Sequence, residues 1–360
     1  MGRAPPSLAI PETSPNSGTV AVRRWLLVVA GLVLLMITIG GATRLTGSGL
    51  SITEWNLIMG AIPPLSESAW LEAFAKYQAI PQYIELNKGM GLDAFKAIFW
   101  WEWGHRFLGR LIGIAFGLPL VWFWARGRIA SRMVVPLLGL LALGGMQGFV
   151  GWFMVQSGLA ERTNVSQYRL ALHLGIAFLI LGGLIWLALG LDRDSARSIR
   201  LRTVTRGQTL AAALVVGLIF LQVIAGAFVA GLKAGLTYNT WPLMDGHLIP
   251  NGLGMMSPWY LNLFENITAV QFNHRVIAYA VALIVAAHAF SLIRSADDER
   301  VQASAGLLVA AIVAQGGLGI WTLLAVVPLA LALAHQGGAA VLFAIAVRHL
   351  FVVRQAAAVR

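Results

Sequence analysis

The feature that most constrains this chain is a series of long tracts without one Asp, Glu, Lys or Arg: Trp25 to Thr43, Met133 to Ala160, Leu170 to Leu191, Gly207 to Leu232, Val276 to Ile293 and Val301 to Val347. Each of the first five reaches the roughly 18 residues that a helix needs to cross the hydrocarbon of a bilayer, where a helix satisfies its own backbone hydrogen bonds. The sixth is more than twice too long for one span, and Pro328 near its middle can end one helix and start the next. A further span over about Ala97 to Ala125 is apolar apart from Glu102, Arg106 and Arg110. The reading is an all-α polytopic membrane protein with eight transmembrane helices. Composition agrees, since only 11% of residues are charged against about 25% in soluble domains.

Basic residues orient the spans, because cytoplasmic connections carry the excess of Lys and Arg. The N-terminus and the stretches around 126–132, 193–206, 294–300 and 348–360 hold 16 of the 26 Lys and Arg, and the opposite side holds 7. Both termini are thereby placed in the cytoplasm. The same asymmetry accounts for the pI near 10.8, so no nucleic-acid partner is read from it. Residues 1–24 are rich in Pro, Ser and Thr, are read as a disordered cytoplasmic tail, and show no pattern of a cleaved signal peptide. The absence of cysteine excludes disulfides, thiolate metal sites and cysteine nucleophiles.

The eight spans divide into two similar halves. Residues 49–55 align with 235–241, after the first and fifth spans. Glu102-Trp-Gly-His105-Arg106 aligns with Gln271-Phe-Asn-His274-Arg275 in the second and sixth, and His173 in the fourth matches His335 in the eighth. The expected organisation is an N-terminal four-helix half over 25–191, a basic linker over 192–206, a C-terminal half over 207–350 and a tail over 351–360, the halves forming two pseudo-symmetric four-helix bundles. The first outer loop, 44–96, is longer than its partner and carries Trp70, Phe74 and Tyr77 at helical spacing. That stripe reads as a short interfacial helix lying on the bundle rather than as a cofactor contact, and a long loop there is suited to capping a site.

His105, His173, His274 and His335 fall at similar depth, a few residues in from the outer face. One histidine within a span is most simply an interhelical hydrogen bond, but two pairs repeated at one depth point to ligands. A closed zinc site wants four N or S donors; haem needs only axial ligands, because the porphyrin supplies the rest. Arg106 and Arg275, each directly after a ligand histidine, are candidate propionate contacts, although arginines near a helix end also snorkel. His247, His288 and His349 have no counterpart in the repeat and are read as structural or solvated. Glu102 is the informative asymmetry, since its repeat partner is Gln271. It is either the partner of Arg106 at i, i+4 or a group that exchanges protons or stabilises charge, which would make the first half reactive and the second an electron carrier.

Gly40-Gly-Ala-Thr-Arg-Leu-Thr-Gly-Ser-Gly-Leu-Ser51, followed by Trp55, Pro63-Pro64, Glu102-Trp-Gly-His105-Arg, His173, Asn273-His274-Arg and His335-Gln, closely resembles the haem A synthase family over about residues 25–350. The resemblance implies an oxidoreductase of the bacterial inner membrane that converts the C8 methyl of haem O to the formyl group of haem A, with oxygen derived from water. It implies substrate haem O between His105 and His173, a haem b cofactor between His274 and His335, both near the outer face, and Glu102 as the catalytic carboxylate. It also implies haem O synthase and a second copy of the chain as partners. Some bacterial members carry a cysteine pair in the first outer loop; this sequence has none, which rules out a thiol route for electrons there. The rival reading is a di-haem b-type electron carrier of the quinol-linked kind, in which neither haem is altered.

Overall fold

A computed structural model of the protein describes residues 17–56, 59–161, 163–191 and 204–357. Among them the chain forms ten α-helices and no strand: α1 (Ser17–Leu45), α2 (Glu67–Gln78), α3 (Pro81–Leu86), α4 (Leu92–Ala125), α5 (Ser131–Glu161), α6 (Gln167–Leu189), α7 (Arg206–Gly231), α8 (Ile267–Ser295), α9 (Glu299–Leu324) and α10 (Leu329–Ala357). All but α2 and α3 are long and apolar enough to cross a membrane. The fold is all-α with eight spans, as the charge-free tracts require.

The spans pack in the same ring twice. In the first half α1 lies against α4 and α6, and α5 against α6 and α4; in the second, α7 lies against α8 and α10, and α9 against α8 and α10. The halves meet where α1 touches α10, α6 touches α7 and α6 touches α10. Exchanging the halves turns the first two contacts into each other and the third into itself, a pattern consistent with a pseudo-twofold axis. Small residues allow the close approach, as is usual between helices in lipid. A Cβ on Gly182 of α6 would stand 3.1 Å from the Phe343 ring of α10, and the Phe178 and Phe343 rings meet edge to face at 5.4 Å. Phe178, Leu181, Leu184, Phe343 and Ala346 anchor one continuous apolar core across both halves.

Several boundaries differ from the sequence reading. α1 begins at Ser17, so residues 17–24 of the expected tail are helical. Val22 is buried, and Trp25 donates to the Ala115 carbonyl at 2.8 Å while stacking on Phe116. The reading stopped at Arg23 and Arg24, but long basic side chains reach water from a helix end. Residues 1–16 and 358–360, and 192–203 of the linker, lie outside the described residues. Thr205 already caps α7 in a capping box with Gln208, and residues 351–357 continue α10. α4 starts at Leu92, a turn before the expected Ala97. In the C-terminal half, Val326 and Val327 both take left-handed backbone angles (φ 62° and 56°) in the tight turn before Pro328.

The first outer loop folds as a helical cap. Trp70, Phe74 and Tyr77 of α2 lie on the outer end of α4, with ring centroids 4.9 Å apart for Trp70 and Phe99, 5.1 Å for Phe74 and Phe95 and 5.3 Å for Tyr77 and Phe95. Tyr77 is fully buried, and Asn87 donates to its hydroxyl at 2.6 Å. Gln82 ties α3 to the Gly47 carbonyl at 3.0 Å. Lys76 bridges Glu54 and Glu72, at 2.7 Å each, and the bond to Glu54 leads in pushing its ammonium pKa up to about 12. The stripe is packing on the bundle, as its spacing suggested.

Candidate functional site

The four histidines expected as ligands lie on α4, α6, α8 and α10, and each is faced by a glycine of the preceding span. A Cβ on Gly40 would stand 3.2 Å from His105 Nε2, one on Gly151 3.1 Å from His173 Cε1, one on Gly226 3.1 Å from His274 Cε1, and one on Gly319 2.7 Å from His335 Cε1. A Cβ at Gly319 would force the His335 ring to shift, and one at Gly40, Gly151 or Gly226 would press on its ring by a few tenths of an ångström. Gly40 and Gly226 hold matching positions in the repeat, as do Gly151 and Gly319, so the same device occurs twice in each half.

The His105 and His173 rings lie edge to face with centroids 6.5 Å apart and planes at 63°. A ligating imidazole nitrogen sits about 2 Å from its metal and the ring centroid about 1 Å behind, so two rings flanking one iron have centroids roughly 6 Å apart. The centroid separation of the first pair is close to that value. His173 Nδ1 is buried without a hydrogen-bond partner. No group of three or more His, Asp or Glu side chains suited to a metal occurs among the described residues. A pair of imidazoles alone fits a metal that arrives with its own equatorial ligands, as haem iron does. In the second half His274 of α8 and His335 of α10 hold the matching positions.

Glu102 is 2% exposed and accepts from four donors. Ser51 Oγ at 2.7 Å and the Ile52 N–H at 2.8 Å reach one oxygen; Arg106 Nε at 3.1 Å and Nη2 at 2.6 Å reach the other. The i, i+4 pairing with Arg106 is thus realised. Arg106 also donates to the Ile52 and Glu54 carbonyls, both at 2.8 Å, beneath the Trp55 ring. Arg275 makes the matching contacts, to the Tyr238 carbonyl at 2.8 Å and the Thr240 carbonyl at 2.9 Å. Gln271 donates to the Ala234 and Tyr238 carbonyls. Each half thus staples its first outer loop to its second helix through one arginine and the residue four before it. The sequence placed these arginines near the water boundary and gave no sign of the loop contacts, which depend on register between distant segments.

Sequence reasoning also missed Gln222 and Gln315, which contact His274 and His335 at 3.1 Å. The signal was present: Gln147 to Gly151, Gln222 to Gly226 and Gln315 to Gly319 all read Gln-x-x-x-Gly, which places both residues on one helix face. His288 and His349, read separately, bond to each other through Nε2 at 3.0 Å, with Ser304 Oγ 2.9 Å from His349 Nδ1. Both are buried, and they tie α8, α9 and α10 together.

Fold and histidine placement define a polytopic helical membrane protein of two similar halves, with the His105 and His173 imidazoles close together in the first and His274 and His335 at the matching positions of the second. Residues 23–347 match the COX15-CtaA family, described as cytochrome oxidase assembly protein. The chain is 53% identical to a protein of Parvibaculum lavamentivorans named Heme A synthase, over 95% of this chain and 96% of that one. It is 53% identical to one of Agrobacterium fabrum with that name, over 91% and 89%, and 52% identical to one of Rhodospirillum centenum, over 93% and 88%. The chain belongs to the COX15-CtaA family.

Proposed function

We propose that this protein is a haem A synthase, an oxidoreductase of haem A biosynthesis that converts the C8 methyl of haem O to a formyl group with water-derived oxygen. The observation that carries the reading is the two pairs of half-buried histidines, each ring set against a glycine, with a carboxylate at Glu102 in the first half and an amide at Gln271 in its place in the second. His105 and His173 bind the substrate haem O, and His274 and His335 hold a haem b cofactor. When bound, haem b supplies a one-electron redox centre.

The chain's own residues do four things in this account. The glycines and histidines fix the macrocycle, so that the methyl group meets its reactive partner in a repeatable orientation. The cap made by α2 and α3 shields the outer end of the first bundle from water. The farnesyl chain of haem O packs on lipid-facing apolar side chains, and burial contributes about 0.8 kcal/mol per methylene. Glu102 places a fixed negative charge beside the first site. Four donors already surround it, so charge stabilisation is its readier role; moving a proton would first require Ser51 or Arg106 to let go. Arg275 Nε, buried without a partner, is a free guanidinium donor for a propionate, and Arg106, whose Nη1 has one acceptor, the Glu54 carbonyl, holds its loop and keeps one hydrogen for the same role at the first site.

The protein sits in the bacterial cytoplasmic membrane, in contact with lipid, with both termini inside and both haem sites toward the outer face. Haem O synthase and a second copy of the chain are its expected partners. The test is haem content of the purified protein. His274→Ala should lose the b-type haem and His105→Ala the exchangeable haem O or A. Two stable b-type haems, with no uptake of haem O, would instead favour an electron carrier.

A further inference from the structure

We propose that Gln222 and Gln315 are positioning residues that clamp the two imidazoles of the C-terminal half, and that the lack of this clamp in the N-terminal half makes its histidine pair the exchangeable one. The inference rests on the haem-ligand reading above and explains how two similar sites can serve, one for a resident group and the other for a transient one.

The clamp is built the same way twice. Gln222 Nε2 of α7 lies 3.1 Å from His274 Nδ1, 3.3 Å from His274 Nε2 and 3.0 Å from the His274 carbonyl oxygen. Gln315 Nε2 of α9 lies 3.1 Å from His335 Nδ1 and 2.8 Å from the His335 carbonyl oxygen. With Nδ1 unprotonated, one amide thus bridges the ring and the backbone of a single histidine, which holds the ring before iron binds. A ring ligating through Nε2 carries its proton on Nδ1, and turning the amide over offers Oε1 to that proton. Gln222 Oε1 is buried without a partner and gains one in the turn, while Nε2 gives up its bond to the His274 carbonyl. The histidine carbonyl retains its intrahelical N–H.

The N-terminal half has neither clamp. Met36 stands four residues before Gly40, where Gln222 stands before Gly226, and a thioether cannot donate a hydrogen bond. Gln147 stands four before Gly151, where Gln315 stands before Gly319, yet Gln147 Oε1 and His173 Nδ1 are both buried without a hydrogen-bond partner. Outer partners of a ligating histidine alter metal affinity by roughly 10–100-fold. A clamped ring is already ordered for its ligand, while a free ring must be ordered each time. Resident and transit sites therefore differ in what lies behind the histidines.

The experiment is transfer of haem from purified protein, loaded with two equivalents of haem b, to excess apomyoglobin, with low-temperature spin-resonance spectra recorded beforehand. His105→Ala and His274→Ala assign the kinetic phases. Gln222→Leu and Gln315→Leu should speed release from the C-terminal site by about tenfold or more and shift its low-spin signal, and Gln222→Glu, which can still accept from Nδ1–H, should restore both. Met36→Gln should slow release from the N-terminal site, and this variant keeps the test decisive if a leucine variant fails to fold. Leucine variants with wild-type release and spectra, or Met36→Gln without effect on the N-terminal phase, would overturn the proposal. Failure of the ligand reading is told apart by His274→Ala, which would then keep both haems and overturn the clamp with it.

Discussion

Glu102→Gln separates anchoring from chemistry. The substitution keeps the volume of the side chain and removes its charge. With its oxygen turned toward Arg106, the amide NH2 faces the Ile52 N–H, which stands 2.8 Å from the carboxylate oxygen in the native protein, and that bond is lost. Removing one partner of a buried ion pair costs about 3–5 kcal/mol. The second half shows why the lower end applies here: Arg275 is held by loop carbonyls with a glutamine four residues before it, and Arg106 keeps its own two carbonyls. A loss of about 3 kcal/mol corresponds to a fall of a few degrees in the unfolding midpoint. The assay pairs thermal unfolding of purified protein with chromatography of haems O, B and A from cells expressing the variant. The expected outcome is a folded protein that still binds haem O, with haem A formation reduced about 100-fold or more. Normal haem A formation at a lowered midpoint would leave Glu102 a loop anchor alone. An unchanged midpoint would refute the four-donor network. Gln271→Glu serves as the mirror control and should create no second reactive site.

Other substitutions test the surrounding structure. Gly319→Ala places a methyl 2.7 Å from His335 Cε1 and should deplete b-type haem in the purified protein, whereas Gly31→Ala, with nothing within 4 Å of the new carbon, should leave haem content unchanged. Tyr77→Phe removes the acceptor for Asn87 and should loosen the outer cap by about 1–2 kcal/mol, read as faster hydrogen exchange in α2 and α3. Val326→Asn should stabilise the protein by about 1 kcal/mol, because asparagine tolerates the left-handed backbone that a β-branched residue resists; thermal unfolding in detergent measures it.

Much of this molecule was legible before any coordinates, for reasons that differ by element. Charge-free tracts such as Leu170 to Leu191 and Gly207 to Leu232 leave few alternatives to spanning helices, because lipid offers the backbone no partners. The repeat made His105, His173, His274 and His335 stand out, since each was supported by its counterpart rather than by its own neighbours. The stripe of Trp70, Phe74 and Tyr77 could be read as packing because spacing alone puts these side chains on one face. What the sequence concealed depends on contacts between distant segments. Arg106 and Arg275 grip carbonyls some 50 and 35 residues away, a register that no local pattern encodes. His288 and His349 meet only because α8 and α10 cross where they do. The glycines facing the histidines are ordinary by themselves, as close helix packing uses glycine throughout.

The measurement closest to the central claim is extraction and chromatographic identification of the haems in cells that make haem O, with and without this protein. The account predicts haem A only in cells that contain it, with a matching fall in haem O. Unchanged haem O and no haem A, from cells in which the protein is folded and carries b-type haem, would contradict the synthase assignment.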